Sequence, residues 1–265
     1  DSYFITLTVS LILGFLFYFF GKSGTKKINF IDQLILIILV YFFTGFLMSI
    51  PFYLSNFQVT FISALFEAIS GLTSTGFSTF KSIKYLDPTL ILWRSSSQWI
   101  GGLFFLNFLI LLFSNKTFNY KMTNLTYSGD SNFKSEENIK NSILRIFIIY
   151  SFLSFFILVL LSISEIRLFN SLNLAMTLVS NGGFLPSDNL NEIINSNFQK
   201  IILALSLTFS LLNFYLIFNV FNKKILLRQH KEDFYLLSLL IIFFLLIYFN
   251  NYQGLDTLVS VVSSL

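Results

Sequence analysis

The sequence predicts an all-α polytopic membrane protein made of repeated helix–pore helix–helix units, and three observations lead there. Hydrophobic residues are 55% of the 265 and charged residues 11%, with 36 Phe against 3 Pro. Soluble domains carry roughly 25% charged residues, and a soluble fold could not hide so much apolar surface. The apolar residues are gathered into runs separated by short polar and basic segments. Finally, an internal repeat contains apolar stretches too short to cross a bilayer. The composition excludes a cytosolic globular enzyme and a disordered chain alike. With no Cys and a single His, His230, thiol chemistry and a His-based metal cluster are excluded within one chain. The net charge of +4 does not read as nucleic-acid binding, because the basic residues form no stripe interleaved with aromatics.

A hydrocarbon core of about 30 Å takes roughly 20 helical residues to cross. Six runs approach that length: Tyr3–Phe20, Gln33–Ile50, Leu90–Phe113, Ser142–Ser162, Phe198–Phe221 and Phe234–Phe249. Thr60–Leu72, Leu168–Val179 and Gly254–Leu265 are too short and read as re-entrant. If Gly21–Asn29 is cytoplasmic, twelve of the 17 Lys and Arg fall inside, as the positive-inside rule expects. All three short stretches then enter from outside. The chain opens without Met and stops at Leu265 within an apolar stretch, so we expect a segment of a longer protein that continues into further repeats.

Leu65–Phe77 overlays Leu172–Phe184 at a constant offset of 107, with Leu65/Leu172, Ala68/Ala175, Gly76/Gly183 and Phe77/Phe184 identical. Ser70/Thr177 and Thr73/Ser180 keep a hydroxyl, and Leu258, Ser263 and Leu265 fit a third copy. A half-helix ending in mid-membrane needs non-helical backbone that lines a cavity or is buried in protein. Thr73-Ser74-Thr75-Gly76-Phe77 and Ser180-Asn181-Gly182-Gly183-Phe184 supply small side chains and glycines for such backbone. Carbonyls lining a cavity can replace the hydration shell of an alkali cation, as in filters of potassium-channel type. The negative end of the preceding half-helix dipole favours a cation at the same place.

Phe66–Gly76, followed by Leu92-Trp93-Arg94-Ser95-Ser96-Ser97-Gln98-Trp99-Ile100-Gly101-Gly102, resembles the first pore repeat of the TrkH/KtrB potassium transporters, and Gly182-Gly183-Phe184 resembles their second filter. Asn181 departs from the family pattern. The resemblance implies four such repeats around one pore, with the end of an N-terminal hairpin of the TrkH branch at residues 1–29. The first repeat then covers 30–114, a cytoplasmic linker 115–141, the second repeat 142–222, and a cytoplasmic loop with the start of a third repeat 223–265. It further implies K⁺ as the transported ion, bound at Ser74, Thr75, Asn181 and Gly182, and a multi-pass location in a bacterial inner membrane. The implied partners are the lipid bilayer, a second copy in a homodimer, and a cytosolic nucleotide-binding regulatory subunit of the TrkA/KtrA type. Gly76 is consistent with K⁺, since Ser at that position is associated with Na⁺ permeation in the family.

Glu67 and Arg94 are open to two readings: a vestibule charge with a brace behind the filter, or interfacial snorkelling by both. Trp93 and Trp99 are read as belt and packing residues, Gly101-Gly102 as a point of close helix approach, and Asn107 and Asn213 as makers of interhelical hydrogen bonds. Competing functions are a Na⁺-permeable or Na⁺/H⁺-coupled cation transporter and a secondary transporter of an organic substrate. The latter folds commonly use inverted repeats, whereas these copies share one topology. An intramembrane enzyme would need a nucleophile–base or carboxylate pair, and none is visible.

Overall fold

The computed structural model describes residues 2–22, 29–57, 59–113 and 136–211, with isolated positions between 235 and 259. Seven α-helices and no strand occur among the described residues: α1 (Ser2–Gly21), α2 (Phe30–Tyr53), α3 (Phe61–Leu72), α4 (Pro88–Phe113), α5 (Glu136–Ile163), α6 (Leu168–Ser180) and α7 (Asn197–Leu211). The Lys223–Asp233 loop with His230, Asn213, most of the linker, half of Phe234–Phe249 and nearly all of the third short stretch lie outside the described residues.

Among the described residues, three helices are long and apolar enough to cross a membrane: Ser2–Gly21, Ile31–Tyr53 and Ile143–Ile163. Many of their apolar residues face outward, with Phe4, Phe15, Phe19, Ile38 and Phe155 all exposed, a surface suited to hydrocarbon rather than water. α4 is long enough, at about 39 Å for its 26 residues, but the polar run around Arg94–Gln98 lowers its apolarity. Arg94, Ser95, Ser97 and Gln98 are buried, so α4 faces protein with its polar stripe. α5 starts at Glu136 rather than at the expected Ser142, and no Gly or Pro interrupts its sequence.

The two short apolar stretches at the repeat positions are short helices. The 12 residues of α3 and 13 of α6 span about 18–20 Å, well short of a bilayer core. Thr60 caps α3 by accepting from the Ser63 N–H. Asn29 and Asp32 form a capping box at the start of α2. α3 packs between α2 and α4, while α6 packs against α4, α5 and α7. Phe52, Ala64, Ala68, Leu90 and Ile91 form the core of the first unit. Tyr150, Leu153, Ile157, Leu174, Val179 and Leu203 form that of the second. α4 thus belongs to the first unit and supports the second.

Candidate ion pathway

Each half-helix ends in a turn whose hydrogen bonds repeat at the offset of 107. Ser74 N–H donates to the Gly71 carbonyl (2.9 Å) and Thr75 N–H to that of Ser70 (2.9 Å). Asn181 N–H likewise donates to Leu178 (3.1 Å) and Gly182 N–H to Thr177 (2.9 Å). Because a trans peptide sets its C=O opposite its N–H, the carbonyls of Thr73, Ser74, Ser180 and Asn181 point away from the half-helices. Backbone conformation repeats too. Ser74 and Asn181 both have φ 52°, while Gly76 and Gly183 have φ 80° and 85°. Asn tolerates the left-handed region and Gly occupies it freely, which accounts for the unusual Asn181. Ser74 adopts it with its hydroxyl buried and unpartnered among the described residues.

The last residue of each segment is tied back to its half-helix. The Ser70 hydroxyl donates to the Phe77 carbonyl (2.6 Å) and the Thr177 hydroxyl to the Phe184 carbonyl (2.8 Å). Ser70 and Thr177 stand outside the expected site, and their only sequence signal is the hydroxyl retained in the repeat. The two segments meet at their glycines. A Cβ on Gly76 would run into the Gly182 carbonyl oxygen, and one on Gly183 would lie 3.9 Å from Gly76 Cα.

The equivalent phenylalanines differ. Phe77 is 67% exposed, whereas Phe184 is buried with the Arg94 guanidinium carbon 4.1 Å from its ring centroid. Arg94 also pairs with Glu67 (Nε–Oε1 2.7 Å) and donates to the Leu185 carbonyl (3.4 Å). Both charges are buried, at 1% and 0% exposure, so neither snorkels. Glu67 is the partner of Arg94 rather than a free charge over a vestibule. Its carboxylate also accepts from Thr79 N–H (2.9 Å) and from the hydroxyls of Ser78 and Thr79. Arg94 therefore braces both segments, the first through Glu67 and the second through Leu185 and Phe184.

α4 reaches both half-helix ends through adjacent glycines. A Cβ on Gly101 would strike the Leu72 backbone, while one on Gly102 would lie 2.6 Å from the Tyr150 hydroxyl and 3.0 Å from Ser180 Cβ. Close approach is thus the role of this pair. Trp93 donates to the Met48 carbonyl (3.0 Å) and Trp99 to the Ser154 hydroxyl (2.8 Å), fastening α4 to α2 and α5. The Asn107 Oδ1, expected to bond between helices, is buried with no partner among the described residues. Gln98, missed as a site residue, donates to the Gly182 carbonyl (2.7 Å) and accepts from Phe184 N–H (3.1 Å). The Gly182 carbonyl, expected to bind K⁺, is directed at α4 instead.

Beyond the segments, Asp188 joins the two loops, accepting from the Ser82 hydroxyl (2.6 Å) and the Ile83 N–H. The Ser82 hydrogen bond, followed by that of Ile83, holds its carboxyl below the usual range. The clasp is therefore present above the ordinary aspartate range and is lost as pH falls through the depressed value. It also sets both loops on the same side of the helices.

Short half-helices ending in matched turns, beside helices long and apolar enough to cross a bilayer, fit a multi-pass membrane protein. The chain belongs to the TrkH family of cation transport proteins, whose family model matches residues 2–252. This is a family of transporters rather than enzymes. An uncharacterized cation transporter of Methanocaldococcus jannaschii is 31% identical over 180 residues, covering 65% of this chain and 37% of that protein. The Trk system potassium uptake protein TrkG of Escherichia coli is 28% identical over 102 residues, covering 38% of this chain and 21% of its own length. In fold, the chain is similar to the crystal structure of the potassium transporter TrkH from Vibrio parahaemolyticus. The TM-score is 0.75 at 20% identity, over 99% of this chain and 55% of that one. The match thus spans 37% and 21% of those two relatives in sequence and about half of the solved structure.

Proposed function

We propose that this chain is part of the membrane subunit of a K⁺ uptake system, and that residues 73–77 and 180–184 form two walls of its carbonyl-lined selectivity filter. The observation that carries this reading is the shared backbone of the two turns, left-handed at 74/181 and 76/183 with matching helix-to-turn hydrogen bonds. Such turns leave carbonyls free to replace a cation's hydration shell, and the half-helix ends contribute negative potential. The ion ligands are the outward carbonyls of Thr73, Ser74, Ser180 and Asn181, joined by that of Thr75. Arg94 and Glu67 neutralise each other and act as support. The repeats extend over 30–114 and 142–222, joined by a cytoplasmic linker at 115–141, with a third repeat starting within 223–265. The full protein works in a bacterial inner membrane as a homodimer, regulated by a cytosolic nucleotide-binding subunit of the TrkA/KtrA type.

Gly76→Ser tests the filter. A side chain at φ 80° directed into the Gly182 carbonyl carries about 1–2 kcal/mol of left-handed strain before any clash. That is enough for roughly a tenfold loss of K⁺ over Na⁺ preference, measured by ion uptake with the full-length protein in cells lacking other K⁺ uptake. An unchanged preference in a normally expressed variant removes Gly76 from the filter.

A further inference from the structure

We infer that Gln98 is a positioning residue that decides which carbonyls the second filter segment offers to the ion, by holding the Gly182 carbonyl against α4. The inference rests on the filter reading above. Gln98 is fully buried in the middle of α4. Its amide contacts two backbone groups of opposite character, with Nε2 donating to the Gly182 carbonyl and Oε1 accepting from the Phe184 N–H. Turning the amide over would face acceptor to acceptor and donor to donor, so the orientation is fixed by the partners.

The two partners flank Gly183, whose φ is 85°, so one primary amide bridges the left-handed residue. It pins the peptide planes on both sides of it. Gly182 is required by this contact. A Cβ there would lie 2.5 and 2.7 Å from the Gln98 amide oxygen and nitrogen. That explains why the second segment has Gly182 where the first has Thr75, whose carbonyl has no side-chain donor among the described residues. The N–H that follows Thr75, on Gly76, turns toward the Ser70 carbonyl at 3.5 Å, which leaves the Thr75 carbonyl facing away from α3. The two walls therefore differ by one carbonyl, and Gln98 makes the difference. Arg94, one helical turn earlier, holds Phe184 and Leu185 on the same side of the segment.

The test compares Gln98→Leu and Gln98→Glu in the full-length protein, with Na⁺ competition against K⁺ uptake in proteoliposomes. Leu removes both bonds. Glu keeps the acceptor for Phe184 N–H, but when ionised it sets an acceptor against the Gly182 carbonyl, and when protonated it donates to it again. The expected result is a K⁺/Na⁺ preference about three- to tenfold below wild type for Gln98→Leu. For Gln98→Glu the same deficit is expected at about pH 9, relaxing toward wild type at about pH 6. Gln98→Glu alone decides the matter if Gln98→Leu does not reach the membrane. A deficit in Gln98→Glu indifferent to pH would reduce Gln98 to a packing role and overturn the inference. So would wild-type preference in the variants while Gly76→Ser loses it. Wild-type preference in Gly76→Ser as well would sink the filter reading and the inference with it.

Discussion

Arg94→Leu is expected to be the most damaging single substitution among the described residues, costing about 3–5 kcal/mol by stranding a buried carboxylate. Glu67 is fully buried, and Arg94 is the one cation that pairs with it among the described residues. Its remaining bonds come from neutral groups of the 78–79 turn. Gln at 67 should be milder, at about 1–3 kcal/mol, because its amide oxygen can still accept from Arg94 Nε while its NH2 meets the Ser78 and Thr79 hydroxyls. The readout is the fraction of purified full-length protein that stays monodisperse after heating in detergent, a kinetic measure suited to irreversible unfolding. Arg94→Leu should lose its monodisperse fraction at a clearly lower temperature than Glu67→Gln. Equal stability of the two variants would mean that the ion pair does not carry the junction.

The second large effect is expected at Gly101. A methyl there strikes the backbone of Leu72, the residue that leads into the first segment, and backbone cannot swing aside as a side-chain tip can. Gly101→Ala should destabilise by about 1–3 kcal/mol through overpacking and displace Thr73. Gly102→Ala meets the Tyr150 hydroxyl and Ser180 at 2.6–3.2 Å, and the hydroxyl can rotate away, so its effect should be smaller. Heating in detergent and K⁺ uptake should both rank Gly101→Ala below Gly102→Ala, and the reverse order would contradict the packing described for α4.

The parts of this architecture that were legible in the sequence are those written in length and local chemistry. α3 begins one residue after the expected Thr60 because Thr60 is its cap, and α6 overruns the expected Val179 by one residue. Gly76 and Gly183 were readable because few other residues accept a positive φ. Ser74 was not, since nothing local marks a Ser for the left-handed region. The Arg94–Glu67 pair left two readings open because 27 residues separate its members and only packing brings them together. Gln98 stands in the quoted motif but gets no role from the sequence, for a related reason. A Gln in a helix reads as a packing residue until the chain 84 residues away is placed beside it. The run Leu90–Phe113 reads as spanning although the polar stripe of α4 dilutes it, a feature explained by the half-helices that stripe holds.

In the proposed filter a cation sits against the backbone of the two turns. Anomalous scattering from Tl⁺, soaked as a K⁺ substitute into crystals of the full-length protein, reports this most directly. A peak is expected beside the carbonyls of Ser74 and Asn181, between the segments that meet at Gly76 and Gly183. A strong Tl⁺ peak elsewhere along the transport path, with none beside either segment, would contradict it.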